Sequence, residues 1–376
     1  MKIYIKLFLV PFLVSGLFLL LSTSTYALEE KKELFESVGA EQLYDSLPNE
    51  ISELFGELGI NEIDFDAIFN IKADSVWKLI KKLLTGAVES PVKSLIRLLA
   101  VIILLAICEC FVPEDRKMKS IMEMCGTLFC TVSILNPLST AVSSAVASVS
   151  VTESFMLILI PVLTAIVSIS GNPTLAVSFQ SIAFVGAQVI SGVASRFIVP
   201  LVGAVLALDI TGTLMPSYKL AGITEFIKKT VTTVLSFCAT IYVSFLGLKG
   251  ALANAADSLA SKGIKLVISS AVPVVGGALS EAYSGVIGSM VLAKSTVGIF
   301  GICAVALINL PSIVQLVFWV FALKFGVAIA DLFEQHGISS LLKALASTLI
   351  LLNVVLLFVA VLFIISTALL LVIKAG

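Results

Sequence analysis

Charge is scarce in this chain. Only 13% of its 376 residues are Asp, Glu, Lys or Arg, about half the share of an ordinary soluble domain. Histidine occurs once, at position 336 in "FEQHGISS", where a loop is expected. There is no HExxH, GxSxG or GxxxxGK[ST] stretch, so no zinc-protease helix, nucleophile elbow or phosphate-cradling loop is present in the sequence. The chain is therefore read as a non-enzyme without cofactor or metal. No basic patch with interleaved aromatics occurs, which argues against nucleic acid as a partner. The six cysteines (Cys108, Cys110, Cys125, Cys130, Cys238 and Cys303) all lie in or beside apolar stretches. None precedes Cys108, so no disulfide framework staples the N-terminal part. They are read as small packing residues.

What the chain has in abundance is hydrocarbon: 59% hydrophobic residues and a mean hydropathy of +1.11. It reads as an integral membrane protein with most of its length in the bilayer. The net charge of −1 hides an asymmetry, because residues 28–90 hold fourteen acidic residues against six basic ones. Ahead of that segment, Lys2 and Lys6 precede the apolar core Leu7–Leu21, and "STSTYA" places Thr25 and Ala27 before a polar switch. This is the pattern of a signal peptide, residues 1–27; an uncleaved first span is the alternative. Either way residues 28–90 are expected outside the cytoplasm as short helices. The helix around Val76–Val88, with Trp77 and three nearby lysines, suits either the bilayer surface or the core of the exported segment.

The fold class expected is all-α: a polytopic helical membrane protein with about ten transmembrane segments, some broken or re-entrant, behind a small helical exported segment. At about 20 residues each the spans fall near 95–112, 120–138, 153–170, 175–195, 197–215, 228–248, 266–282, 286–310, 312–333 and 345–372. The segments holding Pro161 and Pro273 are the candidates for re-entrant hairpins. Arg116, Lys117, Lys119, Lys219, Lys228, Lys229 and Lys343 then fall inside, as the positive-inside rule requires. Lys249, Lys262 and Lys265 do not, unless they belong to an interfacial helix. The membrane domain, 91–376, also hints at duplication. "GITEFIKKTVTTVL" from Gly222 resembles "GISSLLKALASTLI" from Gly337, and "PVLTAIVS" from Pro161 resembles "PVVGGALS" from Pro273. These matches suggest a parallel repeat of about 150–250 and 262–365.

Polar residues inside such a domain are the candidate site. Pro273 and the pair Gly276-Gly277 break a helix. Beyond them Gly277, Glu281, Gly285 and Gly288 share one helical face, a seam that admits a close neighbour helix around a carboxylate. The seam reads either as a broken-helix site or as a kinked packing helix. Asp209, about twelve residues into its span, is the second candidate, with Gln180 and Gln188 as neutral companions. Glu123, Lys294, Lys324 and Asp331 are further charges in or near the membrane, the lysines being able to snorkel.

The stretch "PVVGGALSEAYSGVIGSMVLAKSTVGIFG", Pro273–Gly301, resembles the signature of the stage III sporulation protein AE family. The order of signal sequence, acidic exported segment and polytopic region also resembles that family. The resemblance implies a role in endospore formation: a membrane subunit of a secretion-like channel between mother cell and forespore. The implied partners are other stage III membrane and ring proteins and, indirectly, a secretion-type ATPase. It supplies no catalytic residues. Two other functions fit the sequence, an autonomous secondary transporter with a midplane site and a purely structural scaffold.

Overall fold

The computed structural model describes residues 39–111, 116–170, 173–215, 220–271 and 276–372. The expected signal peptide and Pro273 lie outside the described residues. For 249–290 only the course of the backbone is described. All regular structure among the described residues is helical.

Among the described residues three short helices come first: α1 (Glu41–Asp45), α2 (Asn49–Leu58) and α3 (Phe65–Phe69). Pro48 sits immediately before α2, and Gly59 ends it at φ +85°, a backbone conformation that favours glycine. Asp64 caps α3, its Oδ2 accepting from the backbone N–H of Asp66 and Ala67 at 3.1 and 3.2 Å. The Tyr44 hydroxyl donates to the Ile60 carbonyl at 3.2 Å, and burial raises the pKa of this phenol. This unit is docked on the long helices through aromatic rings. Phe55 stacks on Phe300 with ring centroids 4.9 Å apart, and Phe155 reaches the same ring from another side at 6.4 Å.

Seven longer helices follow: α4 (Ala73–Cys110), α5 (Arg116–Ile169), α6 (Pro173–Gly192), α7 (Val199–Leu214), α8 (Ala221–Ala271), α9 (Gly276–Leu332) and α10 (His336–Val372). A π-helical turn, Val193–Ile198, joins α6 to α7. His336 therefore opens a helix instead of lying in a loop. Among the described residues six helical runs are long and apolar enough to cross a membrane, where the sequence suggested about ten. Part of the difference is fusion, and the expected span 266–282 crosses undescribed residues. The stretches 120–138 and 153–170 are parts of α5, and 286–310 and 312–333 are parts of α9. The expected loop 139–152 holds no Gly or Pro and continues the helix, its hydroxyls bonding back one turn, as Thr152 does to the Ser148 carbonyl at 2.7 Å. Pro161 stands inside α5, so it makes no re-entrant hairpin; Pro91, Pro137 and Pro311 are likewise helix-internal. Such prolines persist in membrane bundles because neighbouring groups satisfy the freed carbonyls. Residues 249–265 continue α8.

Contacts between residues fix the heights of these helices. Ser148 meets Ser312 and Thr152 meets Asn309, so α5 and α9 run antiparallel. Leu105 of α4 crowds Gly126 of α5, and Gln335 donates to the Ile102 carbonyl at 3.2 Å. α8 and α10 run parallel, with Lys228 at Ser347 and Tyr242 at Ser366. Exposed large apolar side chains form a belt toward one end of the bundle on Ile96–Phe111 of α4, Met118–Leu135 of α5 and Val317–Leu332 of α9, while on α8 they run further, from Ile223 to Leu248. At 1.5 Å per residue the first three stretches are about 20–25 Å tall, close to the hydrocarbon thickness of about 30 Å. Phe300 and the acidic unit stand about 25 Å beyond Val317 along α9.

Candidate functional site

Asp209 lies on α7 midway along the apolar stretch that ends at Met215, and it is buried. A carboxylate at that depth requires a partner, and the fold supplies two. Lys228, from the second turn of α8, places its Nζ 2.8 Å from Asp209 Oδ2. Thr348 of α10 donates its hydroxyl to the same oxygen, also at 2.8 Å. The Lys228 ammonium also donates to the Ser347 hydroxyl, next to Thr348. Three helices thus meet at one ion pair half-way up the belt. The sequence singled out Asp209 and assigned Lys228 to a cytoplasmic loop. The clue it held is the spacing: Asp209 is five residues before the end of α7 and Lys228 seven after the start of α8, so a tight helical hairpin brings them level.

A second polar group joins α5 to α9. Ser148 and Ser312 share a hydrogen bond at 2.8 Å, and Asn309 Nδ2 donates to Thr152 Oγ1 at 2.8 Å and to the Val305 carbonyl. All four side chains are buried. These neutral residues carried no signal in a sequence scanned for charges. The third group closes the α9–α10 turn. Glu123 accepts from the backbone N–H of Gly337 in the first turn of α10, where a carboxylate also meets the favourable end of the helix dipole. A Cβ on Gly337 would stand 2.8 Å from Thr127 Oγ1, so only glycine admits this approach. Asp331 binds Ser339 and Lys343 at the same turn.

The remaining candidates separate from Asp209. Gly276, Gly277, Glu281, Gly285 and Gly288 lie on the N-terminal turns of α9; the Glu281 side chain and the seam's contacts lie outside the described residues. Gln180 and Gln188 stand exposed on α6, more than twenty residues up the run from Asp209, and are not its companions. Lys294 does not snorkel, since it is buried at 3% exposure, whereas Lys324 is exposed. Among the described residues no three His, Cys, Asp or Glu gather as a metal site.

The fold and its belt define a multipass helical membrane protein whose polar groups bind helix to helix. Residues 63–374 match the family described as Stage III sporulation protein AE, and the chain belongs to that family. Stage III sporulation protein AE of Bacillus subtilis (strain 168) is 24% identical over 232 residues, 62% of this chain and 58% of that protein; the chain thus spans under two thirds of the relative's length. No solved structure matches.

Proposed function

We propose that this chain is the integral membrane subunit of a secretion-like channel complex that joins mother cell and forespore during endospore formation. In this reading it sits in the mother-cell membrane around the forespore. The acidic unit of α1–α3 lies outside the cytoplasm, toward ring-forming stage III partners, and a separate secretion-type ATPase supplies the energy. Family membership over residues 63–374 supports the sporulation role. The observation that carries the rest is the height of the bundle. α5 and α9 run on about 25 Å past the belt to meet the acidic unit at Phe155 and Phe300, as a subunit reaching partners between two membranes requires. The basic residues Arg116, Lys117 and Lys119 fall at the opposite end, in agreement with the positive-inside rule.

One observation favours an autonomous transporter instead: the Asp209–Lys228 pair at mid-belt. The two readings part on a deletion strain of the native host, complemented with the intact gene or with an Asp209→Asn/Lys228→Met gene. The channel reading expects normal vegetative growth, few heat-resistant spores on deletion, and recovery with both genes. Undiminished spore counts in the deletion strain refute it, and failure of the double variant despite normal protein levels favours the transporter.

A further inference from the structure

α8 shows three different faces over one length. Its run Ala221–Leu248 is long and apolar enough to cross a membrane. At about 100° per residue, Val231, Leu235, Tyr242 and Leu246 share one sector, and all four are buried. Ile223, Phe226, Phe237, Ile241, Phe245 and Leu248 share a second, with Thr230 and Ser244 among them, and all are exposed. The third sector holds Glu225, Lys229, Thr232, Thr233, Ser236 and Thr240, also all exposed. This stripe is about 100° wide and about 22 Å tall. No apolar residue falls in it between Glu225 and Thr240. Both exposed sectors belong to one helix, so they stand at one depth without any comparison between elements.

Lipid is a poor neighbour for that stripe. Glu225 and Lys229 form no ion pair among the described residues, and charged side chains within membrane spans face protein or water. Thr232, Thr233, Ser236 and Thr240 each donate to a carbonyl of the preceding turn, the last three at 2.9 Å. That settles the hydroxyl protons and leaves acceptor sites on the oxygens open. Hydroxyls bonded back in this way are tolerated in lipid, but lipid gives no reason for four of them to gather beside two charges on one side. Water does, as it does for the polar face of any amphipathic helix. Lys228, the partner of Asp209, sits at the border between the buried sector and the stripe, with its side chain 19% exposed.

We propose that the Glu225–Thr240 face of α8 borders water inside the membrane, as one wall of an aqueous passage for small hydrophilic solutes. The apolar sector beside it meets lipid, and protein beyond the described residues completes the wall. The inference deepens the channel reading and rests on it for what the passage serves. Its test reads water on the face and not spore formation, so the two fail separately.

The test uses the full chain in membranes of the native host, opened so that reagent reaches both sides. Cysteines are placed one at a time at three neighbouring pairs: Thr233→Cys and Val234→Cys, Ser236→Cys and Phe237→Cys, Thr240→Cys and Ile241→Cys. The members of a pair differ by about 1.5 Å in depth and about 100° in direction. All six positions are exposed, so the changes leave the core alone. The probe is a charged, membrane-impermeant methanethiosulfonate, which reacts with the thiolate and so requires water at the site. Labelling of the native cysteines, read on the unsubstituted chain, is subtracted. The stripe member of each pair reacts at least about tenfold faster than its neighbour, because a thiolate is suppressed in lipid. Equal rates within the pairs, or faster reaction on the apolar sector, overturn the proposal. Fast reaction on both sectors places α8 outside the membrane, and slow reaction on both means that lipid or packed protein covers the stripe. Undiminished spore counts on deletion beside the expected labelling pattern would refute the sporulation role and leave the passage standing.

Discussion

Asp209 and Lys228 offer the most direct test of how the bundle is held together. Replacing Asp209 by Asn keeps the shape and leaves Thr348 a partner, but it removes the counter-ion of Lys228, whose side chain is only 19% exposed. Breaking a buried pair from one side costs about 3–5 kcal/mol, and a lone charge near mid-bilayer about 2.5–3.5 kcal/mol on insertion scales. The partial exposure of Lys228 favours the lower end, about 3 kcal/mol for Asp209→Asn. Lys228→Met leaves the carboxylate with the Thr348 hydroxyl alone and costs a similar amount. The double variant removes both charges, leaving mainly interhelical hydrogen bonds worth about 0.6 kcal/mol each. The expected coupling energy is thus at least about 2 kcal/mol. Reversible unfolding in mixed detergent micelles measures it, with the fully buried Trp319 as reporter. Additivity of the two single variants within about 0.5 kcal/mol would refute the claim that this pair locks α7, α8 and α10.

Two further outcomes follow from close packing. Gly186→Ala places a Cβ 2.0 Å from the Tyr242 ring; it should cost about 1–3 kcal/mol as overpacking does and, by moving Tyr242 from Ser366, leave a Ser366→Ala change with little further effect in the same unfolding assay. Phe300→Ala removes the ring on which Phe55 and Phe155 converge. A loss of about 3–5 kcal/mol at that contact should release the acidic unit, so limited proteolysis between Gly39 and Lys72 accelerates while the helical circular dichroism of the bundle stays. Unchanged cleavage would show that the unit is held elsewhere.

The sequence by itself determined the chemical class. With 59% hydrophobic residues and polar groups needing partners in lipid, the chain had few options but apolar helices, and hydropathy is a local property that one strand of text records in full. Asp209 was legible for the same reason: a carboxylate deep in an apolar run stands out without knowledge of its neighbours. Tertiary structure alone decided the rest. Whether Pro137, Pro161 and Pro311 end a helix or merely interrupt its bonding depends on what packs beside them, so two pairs of expected spans became single helices, α5 and α9. Lys228 looked like a loop lysine until the hairpin set it against Asp209. Ser148, Thr152, Asn309 and Ser312 are unremarkable apart, and they become a helix-to-helix bond only when α5 and α9 run antiparallel in that register. Phe300, one apolar residue among many in an apolar run, became the seat of the acidic unit because helices longer than a bilayer must carry part of their hydrophobic surface out of it, where only protein can cover it.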